Sequence, residues 1–416
     1  MLSRAVCSTF GSSRGLRPLL LVGCLVGCSP VTQVHRDSGL VFEPNSEGDA
    51  ERDSGTAEAD AGDQSVDAGD LASDAGDHST DAGDHSTDAG HETTDAGHPE
   101  PDAGDATLDG GYSAPGLDGG ILPVIPTTGL TPDFRQWLAS NGYDAGTYAR
   151  DDLTGGSFGG RTTPGEELAH DPVIFIHGVG DKALGSIPTQ TGWTASYAYF
   201  VENGYTEAEL YATTWGPAND AEAATQYHSE AYVMQLRQFL EAVLAYTGAT
   251  KVDIVAHSMG VTLGRKVVLG GPANDEVAGA YDVGAPLTSR VDAFVGIAGA
   301  KLGVVACYLA AGSTPNCDAA DGFFPGTESG ATVSGRSAFL DDLLATQGYE
   351  GAYRYSLWST VDEIIGYADL VYSTPTSELP GETGEVEYQS APYDHFGLKD
   401  LTTATQLSLV RDHVIP

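Results

Sequence analysis

Residues 251–265, KVDIVAHSMGVTLGR, limit the folds open to this 416-residue chain more than any other segment. The first half of this segment is a short apolar run rich in β-branched residues, which predicts a buried strand. The second half has apolar residues at helical spacing and predicts a helix. Ser258 lies between them, and the residues two before and two after it, Ala256 and Gly260, are small. So sharp a turn would expose the Ser258 hydroxyl at the positive end of the helix, as a nucleophile requires.

The pentapeptide around Ser258 is not diagnostic without its context. The stricter pattern Gly-x-Ser-x-Gly occurs at residues 11–15 and again at residues 155–159. Neither of these follows an apolar strand, so both are interpreted as chance matches in a chain rich in Gly and Ser. Ser258 is therefore the predicted nucleophile, and a buried turn serine is the alternative.

The chain is strongly acidic, with a net charge of −40 and a pI near 4.2. Residues 31–120 contain 23 acidic and 2 basic residues, and residues 121–416 contain 36 acidic and 14 basic residues. This charge argues against a nucleic-acid partner. It also suits a neutral or apolar substrate better than an anionic one.

The N-terminus has the pattern of an export signal. Three arginines precede the apolar segment 18–27, which is too short to span a bilayer. The tetrapeptide that ends at Cys28 resembles the lipobox of bacterial lipoproteins, which implies removal of residues 1–27 and a lipid anchor on Cys28. Ser29 resembles the residue found in lipoproteins sorted to the outer membrane. We therefore expect an exported protein held at the membrane or cell surface, with an ordinary secretory signal as the alternative.

Residues 28–120 are predicted to form a disordered acidic linker. The tripeptide Asp-Ala-Gly recurs every seven residues from Asp60 to Asp102. No position of this repeat is apolar, so it cannot form a coiled-coil seam or bury enough surface to offset its ordering entropy. A solvated tether is the favoured interpretation, and weak calcium binding by the spaced carboxylates is the alternative.

Residues 121–416 are predicted to form one α/β catalytic domain. The apolar run 172–176 predicts a buried strand, and His177, Gly178 and Val179 follow it. α/β-Hydrolases place one arm of the oxyanion hole in such a turn, so the N–H groups of Val179 and Met259 are the predicted donors. The position of His177 in this turn favours a structural role over that of a base.

Apolar patterning predicts the remaining elements of this domain. Residues 121–171 are expected to form an irregular arm with a short helix near 133–140. Other helices are predicted at 197–203, 221–246 (closed by Gly248) and 401–411, and other strands at 210–215, 291–298 and 353–358.

The Gly-rich segment of about residues 299–352 is long for a simple connection between strands. We expect it to form a cap over the site, and a plain surface excursion is the alternative. In an exported protein, Cys307 and Cys317 are expected to form a disulfide, which would stabilise the fold by roughly 3 kcal/mol. Phe323 and Phe324 would give the cap an apolar wall that contacts substrate.

The order nucleophile, acid, histidine selects the other catalytic residues. Asp362 lies just past the strand 353–358 and is favoured over three other acids, Glu363, Asp341 and Asp369. Only His395 and His413 follow Ser258 in the chain. His395 is the predicted base because it lies in a loop before the last helix, whereas His413 is close to the C-terminus. Asp394 is a rival acid, but adjacent side chains rarely point at each other.

These residues predict an acyl-enzyme mechanism in which His395 accepts the Ser258 proton and Asp362 stabilises the charged imidazole. No metal and no cofactor are expected, and we expect a monomer. Tyr227 and His228 lie near the start of the long predicted helix. Ordinary packing on the helix face is the simpler interpretation of this pair, and substrate contact is the alternative.

As a set, these motifs resemble the class 2 bacterial lipases, which share VDIVAHSMG and the HG turn. The resemblance is closer to extracellular poly(3-hydroxybutyrate) depolymerases that attack native granules. It rests on PVIFIHGVGD at 172–181, YHS at 227–229, AYTGATKVDIVAHSMGV at 245–261, the cysteine pair, GFFP at 322–325, and His395 with Phe396. The resemblance implies an α/β-hydrolase fold with a mostly parallel central sheet flanked by helices. It also implies a triad of Ser258, Asp362 and His395 that hydrolyses esters in acylglycerols or a polyester. A non-catalytic surface-binding lipoprotein on the same fold is the remaining alternative.

Overall fold

The computed structural model describes residues 128–416. The predicted signal segment, the lipidation site at Cys28, the repeat linker and the first seven residues of the predicted catalytic domain lie outside the described residues. Within residues 128–416, no helix combines the length and the apolar character needed to cross a bilayer.

A central sheet of eight strands organises the described part of the chain. The strands are β1 (Gly129–Leu130), β2 (Ser157–Gly159), β3 (Val173–Ile176), β4 (Leu210–Thr213), β5 (Val252–His257), β6 (Val291–Ile297), β7 (Tyr353–Ser359) and β8 (Gly384–Tyr388). Their spatial order is β1-β2-β4-β3-β5-β6-β7-β8. Every neighbouring pair is parallel except β2 with β4, which is antiparallel. This is the mostly parallel α/β-hydrolase sheet that the sequence predicted.

Nine α-helices are found among residues 128–416: α1 (Pro132–Ser140), α2 (Ala145–Ala149), α3 (Thr194–Glu202), α4 (Glu230–Thr247), α5 (Met259–Leu269), α6 (Val305–Leu309), α7 (Ala338–Leu344), α8 (His395–Asp400) and α9 (Thr403–Leu407). Four small antiparallel hairpins complete the described chain: Leu184–Ile187 with Gln190–Gly192, Pro272–Asp275 with Gly279–Asp282, Thr327–Ser329 with Thr332–Ser334, and Leu370–Val371 with Thr374–Pro375.

Two apolar cores cover the two faces of the sheet. In β5, Ile254 and Ala256 belong to one core, which includes residues of α4 and α5, whereas Val255 belongs to the other, which includes residues of α3 and α9. All six residues of β5 are buried. A parallel strand covered on both faces reads as a continuous apolar run, which is why the sequence identified it.

The N-terminal arm is more regular than predicted. The short helix is confirmed as α1, and the Thr131 side chain caps it by accepting a hydrogen bond from the Phe134 N–H (3.3 Å). The same arm also supplies β1 and β2, which were not predicted. These strands have two and three residues, too few to show an alternating pattern.

The predicted boundaries of three helices were wrong, and α3 begins at Thr194 rather than at 197. Helix α4 begins at Glu230 rather than at 221, because Asp220–Thr225 is a 3₁₀ turn and the Ser229 side chain caps the helix. Its predicted end is confirmed, with Gly248 in the left-handed conformation (φ 74°). At the C-terminus, His395 is the first residue of α8 instead of a loop residue, and the predicted last helix is the shorter α9 followed by a π turn.

The segment between β6 and β7 contains α6, α7 and the hairpin of Thr327–Ser329 with Thr332–Ser334. We call residues 299–352 the insertion. It contains the predicted disulfide, in which the Cα atoms of Cys307 and Cys317 are 4.8 Å apart. That the insertion acts as a cap over the site stays a prediction.

Candidate active site

Ser258 occupies the sharp turn between β5 and α5. Its backbone angles are φ 55° and ψ −130°, a region that residues with a Cβ rarely adopt. Such a conformation costs about 1–3 kcal/mol and persists only where neighbouring structure fixes it. Here the Ser258 N–H donates to the Ile297 carbonyl of β6 (2.8 Å), and the Val261 N–H donates to the Ser258 carbonyl (2.9 Å). The sheet and the helix therefore hold the serine in a strained turn.

Two glycines allow the turn after β3 to lie directly against this elbow. A Cβ placed on Gly260 would be 2.5 Å from the carbonyl oxygens of Ile176 and His177, and one placed on Gly178 would be 2.8 Å from Ser258 Cβ. Real Cβ atoms do not approach so closely, so only glycine fits at either position. The HG turn and the serine turn are thus in direct contact.

His395 and Asp362 form the contact that the sequence order predicted. His395 Nδ1 lies 2.7 Å from Asp362 Oδ2, and both side chains are buried. The other Asp362 oxygen accepts the N–H groups of Ile364 (2.9 Å) and Ile365 (2.8 Å). Because a carboxylate accepts the Nδ1 proton, the other ring nitrogen of His395, Nε2, is the one available to act as a base.

The predicted base, His395, lies beside His257, the residue that precedes the predicted nucleophile. The rings of His257 and His395 have centroids 4.5 Å apart. In the described structure, the Ser258 hydroxyl and His395 Nε2 do not form a hydrogen bond with each other. Catalytic hydrogen bonds are often long in free enzymes and tighten when substrate binds.

The rival acids near His395 have other partners. The Glu363 carboxylate accepts a hydrogen bond from the backbone N–H of His395 (3.1 Å), whereas the imidazole ring pairs with Asp362. Asp394 caps α8 by accepting the Gly397 N–H (2.7 Å). Of the acids considered from the sequence, Asp362 is the one that reaches the ring.

The two more distant acids are also engaged elsewhere. Asp341 forms an ion pair with Arg336 (3.0 Å). Asp369 is buried and bonds the hydroxyl of Ser377 (2.5 Å), and burial raises the pKa of the Asp369 carboxyl to about 7. Neither acid is placed to polarise His395.

The two predicted oxyanion donors are unused within the described residues, because neither Val179 N–H nor Met259 N–H donates a hydrogen bond there. Met259 is the first residue of α5, where N–H groups have no partner inside the helix. The Gly178 carbonyl shares a peptide unit with the Val179 N–H. This carbonyl accepts hydrogen bonds from His177 Nδ1 (2.7 Å) and from the Asp181 N–H (3.2 Å), and the two bonds fix the plane of that peptide.

His177 has the environment of a structural residue, as its sequence position suggested. Its Nε2 accepts the Trp215 N–H (3.1 Å), and its ring is stacked on Trp215 with centroids 5.1 Å apart. Burial lowers the pKa of His177 to about 4, so the ring is neutral and donates through Nδ1. His177 therefore holds the oxyanion turn rather than serving as the base.

Sequence reasoning missed a role for His257. Its Nε2–H donates to the backbone carbonyl of His395 (3.0 Å) and so connects the elbow to the first turn of α8. Burial, followed by the neighbouring His395, lowers the pKa of His257 well below its usual value. No local pattern could reveal this contact, because the two residues are 138 positions apart.

Sequence reasoning also missed a buried ion pair behind the site. Lys399, one turn after His395 on α8, places its ammonium 2.8 Å from Asp181 and 2.8 Å from the Thr191 hydroxyl. Asp181 lies two residues after Val179, and both charged side chains are almost completely buried. The pair joins α8, which carries the predicted base, to the turn that carries a predicted oxyanion donor.

The predicted substrate contacts fall in different environments. Tyr227 is half-buried, and burial and nearby Asp275 and Asp321 raise the pKa of its hydroxyl. Phe323 is half-buried and packs against both cores, and Phe324 is stacked on Tyr308 with centroids 6.4 Å apart. Substrate contact by these three residues stays a prediction.

His228 has no exposed surface. Its Nδ1 lies 2.6 Å from the Asp321 carbonyl and its Nε2 lies 2.6 Å from the Thr262 hydroxyl. Burial lowers the pKa of His228 to about 4. This arrangement gives His228 a packing and hydrogen-bonding role between the insertion and α5, which agrees with the simpler of its two interpretations.

One group of side chains among residues 128–416 could hold a metal ion: the carboxylates of Glu276, Asp318 and Asp321. None of them is a residue of the triad. No metal was expected from the sequence, and this cluster is considered separately below.

Known proteins give the family. A sequence model of the family described as Lipase (class 2) matches residues 170–408, which is more than half of the chain and includes all three residues of the predicted triad. Among solved structures, Aspergillus fumigatus lipase B is similar with 14% identity over 62% of this chain and a TM-score of 0.40. The chain spans 56% of the length of that protein.

Two further solved structures are similar over comparable lengths. Mature lipase BlEst2 of Bacillus licheniformis has 15% identity over 60% of this chain and 96% of its own, with a TM-score of 0.36. Alpha/beta hydrolase domain-containing protein 10 from mouse has 15% identity over 62% of this chain and 93% of its own, with a TM-score of 0.36. The family match, made on a chain with the mostly parallel sheet and serine elbow described above, shows that this protein belongs to the class 2 lipases.

Proposed function

We propose that this lipase-family carboxylester hydrolase cleaves acylglycerols or similar lipid esters through an acyl-enzyme on Ser258. His395 would be the general base, with Asp362 behind it. The proposal depends chiefly on one observation, the 2.7 Å contact between His395 Nδ1 and Asp362 Oδ2 next to the strained Ser258 turn. This is the arrangement by which a hydroxyl is activated at neutral pH.

In the first half of the reaction, Ser258 Oγ attacks the ester carbonyl carbon and its proton passes to His395 Nε2. The carbonyl oxygen becomes an oxyanion and accepts the N–H groups of Val179 and Met259, each contributing about 3–4 kcal/mol to the transition state. When the tetrahedral intermediate collapses, the C–O bond to the alcohol breaks and His395 protonates the departing alkoxide.

In the second half, a water molecule attacks the acyl-enzyme and His395 accepts one of its protons. Collapse of the second intermediate breaks the bond to Ser258 Oγ, which regains its proton from His395 as the carboxylic acid leaves. Asp362 stabilises the imidazolium in both halves. Its other oxygen is held by the Ile364 and Ile365 N–H groups, so the carboxylate cannot rotate away from the ring.

Labelling with a fluorophosphonate probe tests this mechanism on the full chain. We expect covalent labelling of the wild type and none of Ser258→Ala. A matched control is Ser157→Ala, because Ser157 lies in the chance Gly-x-Ser-x-Gly pattern and bonds the Ala149 carbonyl (2.7 Å) in an ordinary strand. Labelling should survive in that variant. Folded wild type that does not label would favour a non-catalytic binding protein, and labelling that survives Ser258→Ala would remove Ser258 from the mechanism.

A second candidate substrate is a short-chain polyhydroxyalkanoate. It is favoured by the segments at 227–229 and 322–325 that resemble granule depolymerases. Initial rates on tributyrin, triolein and amorphous poly(3-hydroxybutyrate) granules would rank the candidates. We expect the acylglycerols to be hydrolysed faster, and a clear preference for granules would support the second candidate instead.

We also propose that the enzyme is exported and held at the membrane by a lipid on Cys28, with residues 29–120 as a tether. The support is the signal-like segment 18–27 and the tetrapeptide that ends at Cys28. In a bacterial host, Cys28→Ala should abolish incorporation of an alkyne fatty acid and move the protein out of the membrane fraction. Incorporation that persists in Cys28→Ala would rule out this anchor.

A further inference from the structure

Three carboxylates meet where the insertion touches a neighbouring hairpin. Glu276 lies in the turn of the hairpin Pro272–Asp275 with Gly279–Asp282, and Asp318 and Asp321 follow Cys317 in the insertion. One oxygen from each of the three side chains lies within 4.8 Å of the others. Among residues 128–416, no Lys, Arg or His forms a salt bridge with any of them.

Asp321 is the residue that points to a ligand. Its side chain is fully buried, and its Oδ2 accepts the Glu276 N–H (2.9 Å). Its Oδ1 is buried and has no hydrogen-bond partner in the described part of the chain. Leaving a buried carboxylate oxygen unpaired is costly, so a proton or a cation is needed to satisfy it.

The surrounding backbone leaves no donor for this oxygen. Asp318 Oδ1 already accepts three N–H groups, from Ala320 (2.7 Å), Asp321 (2.9 Å) and Gly322 (3.1 Å). The neighbouring carboxylate of Asp275 accepts the N–H groups of Glu230, Val277 and Ala278 and adds negative charge.

We propose that Glu276, Asp318 and Asp321 bind a calcium ion that joins the insertion to the hairpin of Pro272–Asp275 with Gly279–Asp282. A ligand set made only of carboxylate oxygens suits a hard cation and disfavours zinc or copper. Calcium accepts irregular geometry and completes its six to eight ligands with water, which suits one buried and one exposed carboxylate.

The site would act on the fold through Asp321. The main-chain carbonyl of Asp321 accepts both the N–H (3.0 Å) and Nδ1 (2.6 Å) of His228. His228 Nε2 in turn contacts the Thr262 hydroxyl on α5. A cation that fixes Asp321 therefore also fixes the contact between the insertion and the helix that begins at Met259. The proposal is independent of the proposed ester hydrolysis, because it concerns binding and stability.

Calcium titration of the full chain, freed of metal with EDTA, tests the site by calorimetry and by thermal unfolding. We expect a dissociation constant of about 10⁻⁴–10⁻³ M. At 10 mM calcium, Tm should then rise by about 3–6 °C. Glu276→Gln neutralises an exposed carboxylate that forms no hydrogen bond in the described part of the chain. It should weaken binding by about tenfold, since affinity follows the number of charged ligands. Asp321→Asn should abolish the rise in Tm.

The matched control is Glu328→Gln, which removes an exposed carboxylate from the same insertion. It should bind calcium like the wild type, and any heat from the acidic residues before position 121 is common to all variants. A wild-type Tm that does not respond to 10 mM calcium would overturn the proposal. So would equal responses in wild type and Glu276→Gln, or equal rises with magnesium in every variant, which would indicate general charge screening.

Discussion

The serine elbow and the insertion are built in different ways. At the elbow, backbone groups set the geometry: the Ser258 N–H bonds a neighbouring strand, and Gly178 and Gly260 let two turns touch. In the insertion, side chains set the geometry: the bond of Cys307 to Cys317 closes a short loop, and the carboxylates of Asp318 and Asp321 meet a hairpin. The sheet therefore fixes the position of the Ser258 turn, whereas the disulfide and side-chain contacts fix the insertion.

The two regions meet at His228. This residue precedes α4 and contacts Asp321 in the insertion and Thr262 on α5. A structural change in the insertion can therefore be transmitted to α5 through the buried ring of His228. The comparison suggests that damage to the insertion should lower stability while leaving the chemistry of Ser258 intact.

The largest expected effect tests whether the structure around the elbow is stabilised by backbone contacts alone. Lys399→Met would leave Asp181 as a buried charge without its partner, and we expect the free energy of unfolding to fall by about 3–5 kcal/mol. Urea denaturation measures this loss. Lys182→Met is the control, since Lys182 forms no ion pair in the described structure, and it should cost less than about 1 kcal/mol.

A double-mutant cycle sharpens that result. Asp181→Asn combined with Lys399→Met removes both charges, so the double variant should lose less stability than the two single losses together. Strictly additive losses, or a loss below about 1 kcal/mol for Lys399→Met, would show that the pair does not join α8 to the oxyanion turn.

The next largest effect concerns His228, which links the two regions, and it depends on pH. The pKa of His228 is lowered to about 4 in the folded protein, against 6.5 as its ordinary value. The unfolded chain therefore binds the proton first, and stability present above pH 6.5 is lost as pH falls towards 4. Since one pKa unit corresponds to roughly 1.4 kcal/mol, this loss amounts to about 3 kcal/mol.

His228→Gln cannot take up that proton but keeps a donor and an acceptor. Denaturation series at pH 7 and pH 4 should show that the wild type loses about 3 kcal/mol more than this variant. Equal losses in both proteins would mean that another group, such as buried His177, carries the acid sensitivity.

The success of the predictions from sequence also differs between backbone motifs and side-chain contacts. The elbow, the HG turn and the order of Ser258, Asp362 and His395 could be predicted because short backbone motifs encode them. Contacts between distant positions could not. Glu276 and Asp321 are 45 residues apart, and in the sequence each looks like an ordinary surface acid of its own segment.

Local signals also failed where elements were short or capped unexpectedly. The predicted start of α4 was wrong because the alanine-rich residues 221–225 look helical, whereas the Ser229 cap fixes the start of the helix at Glu230. Strand β8 (Gly384–Tyr388) alternates half-buried and exposed residues at the sheet edge, so its apolar signal was too weak to predict it.

Removal of the disulfide tests whether the insertion can be weakened without harming the elbow. Cys307→Ser with Cys317→Ser opens a loop of ten-residue separation, and the chain-entropy relation gives a loss of about 2.7 kcal/mol. Under native conditions the fluorophosphonate should still label Ser258 within about twofold of the wild-type rate, because the sheet holds the elbow. A labelling rate that falls in proportion to stability would show that the two regions are not separable.

The smallest expected effect measures the strain in the elbow itself. Because Ser258 is the proposed nucleophile, Ser258→Ala and Ser258→Gly are both expected to be inactive, and they are compared for stability alone. Glycine tolerates φ 55° whereas alanine does not, and this relief exceeds the extra unfolded-state entropy of glycine by about 1 kcal/mol. Urea denaturation should therefore find the glycine variant more stable.

At Ser157, in the ordinary strand β2, the order should reverse, with glycine less stable than alanine by about 0.5–1 kcal/mol. The same order at both positions would mean that the sheet holds Ser258 without strain, and the elbow would then owe its shape to fit alone.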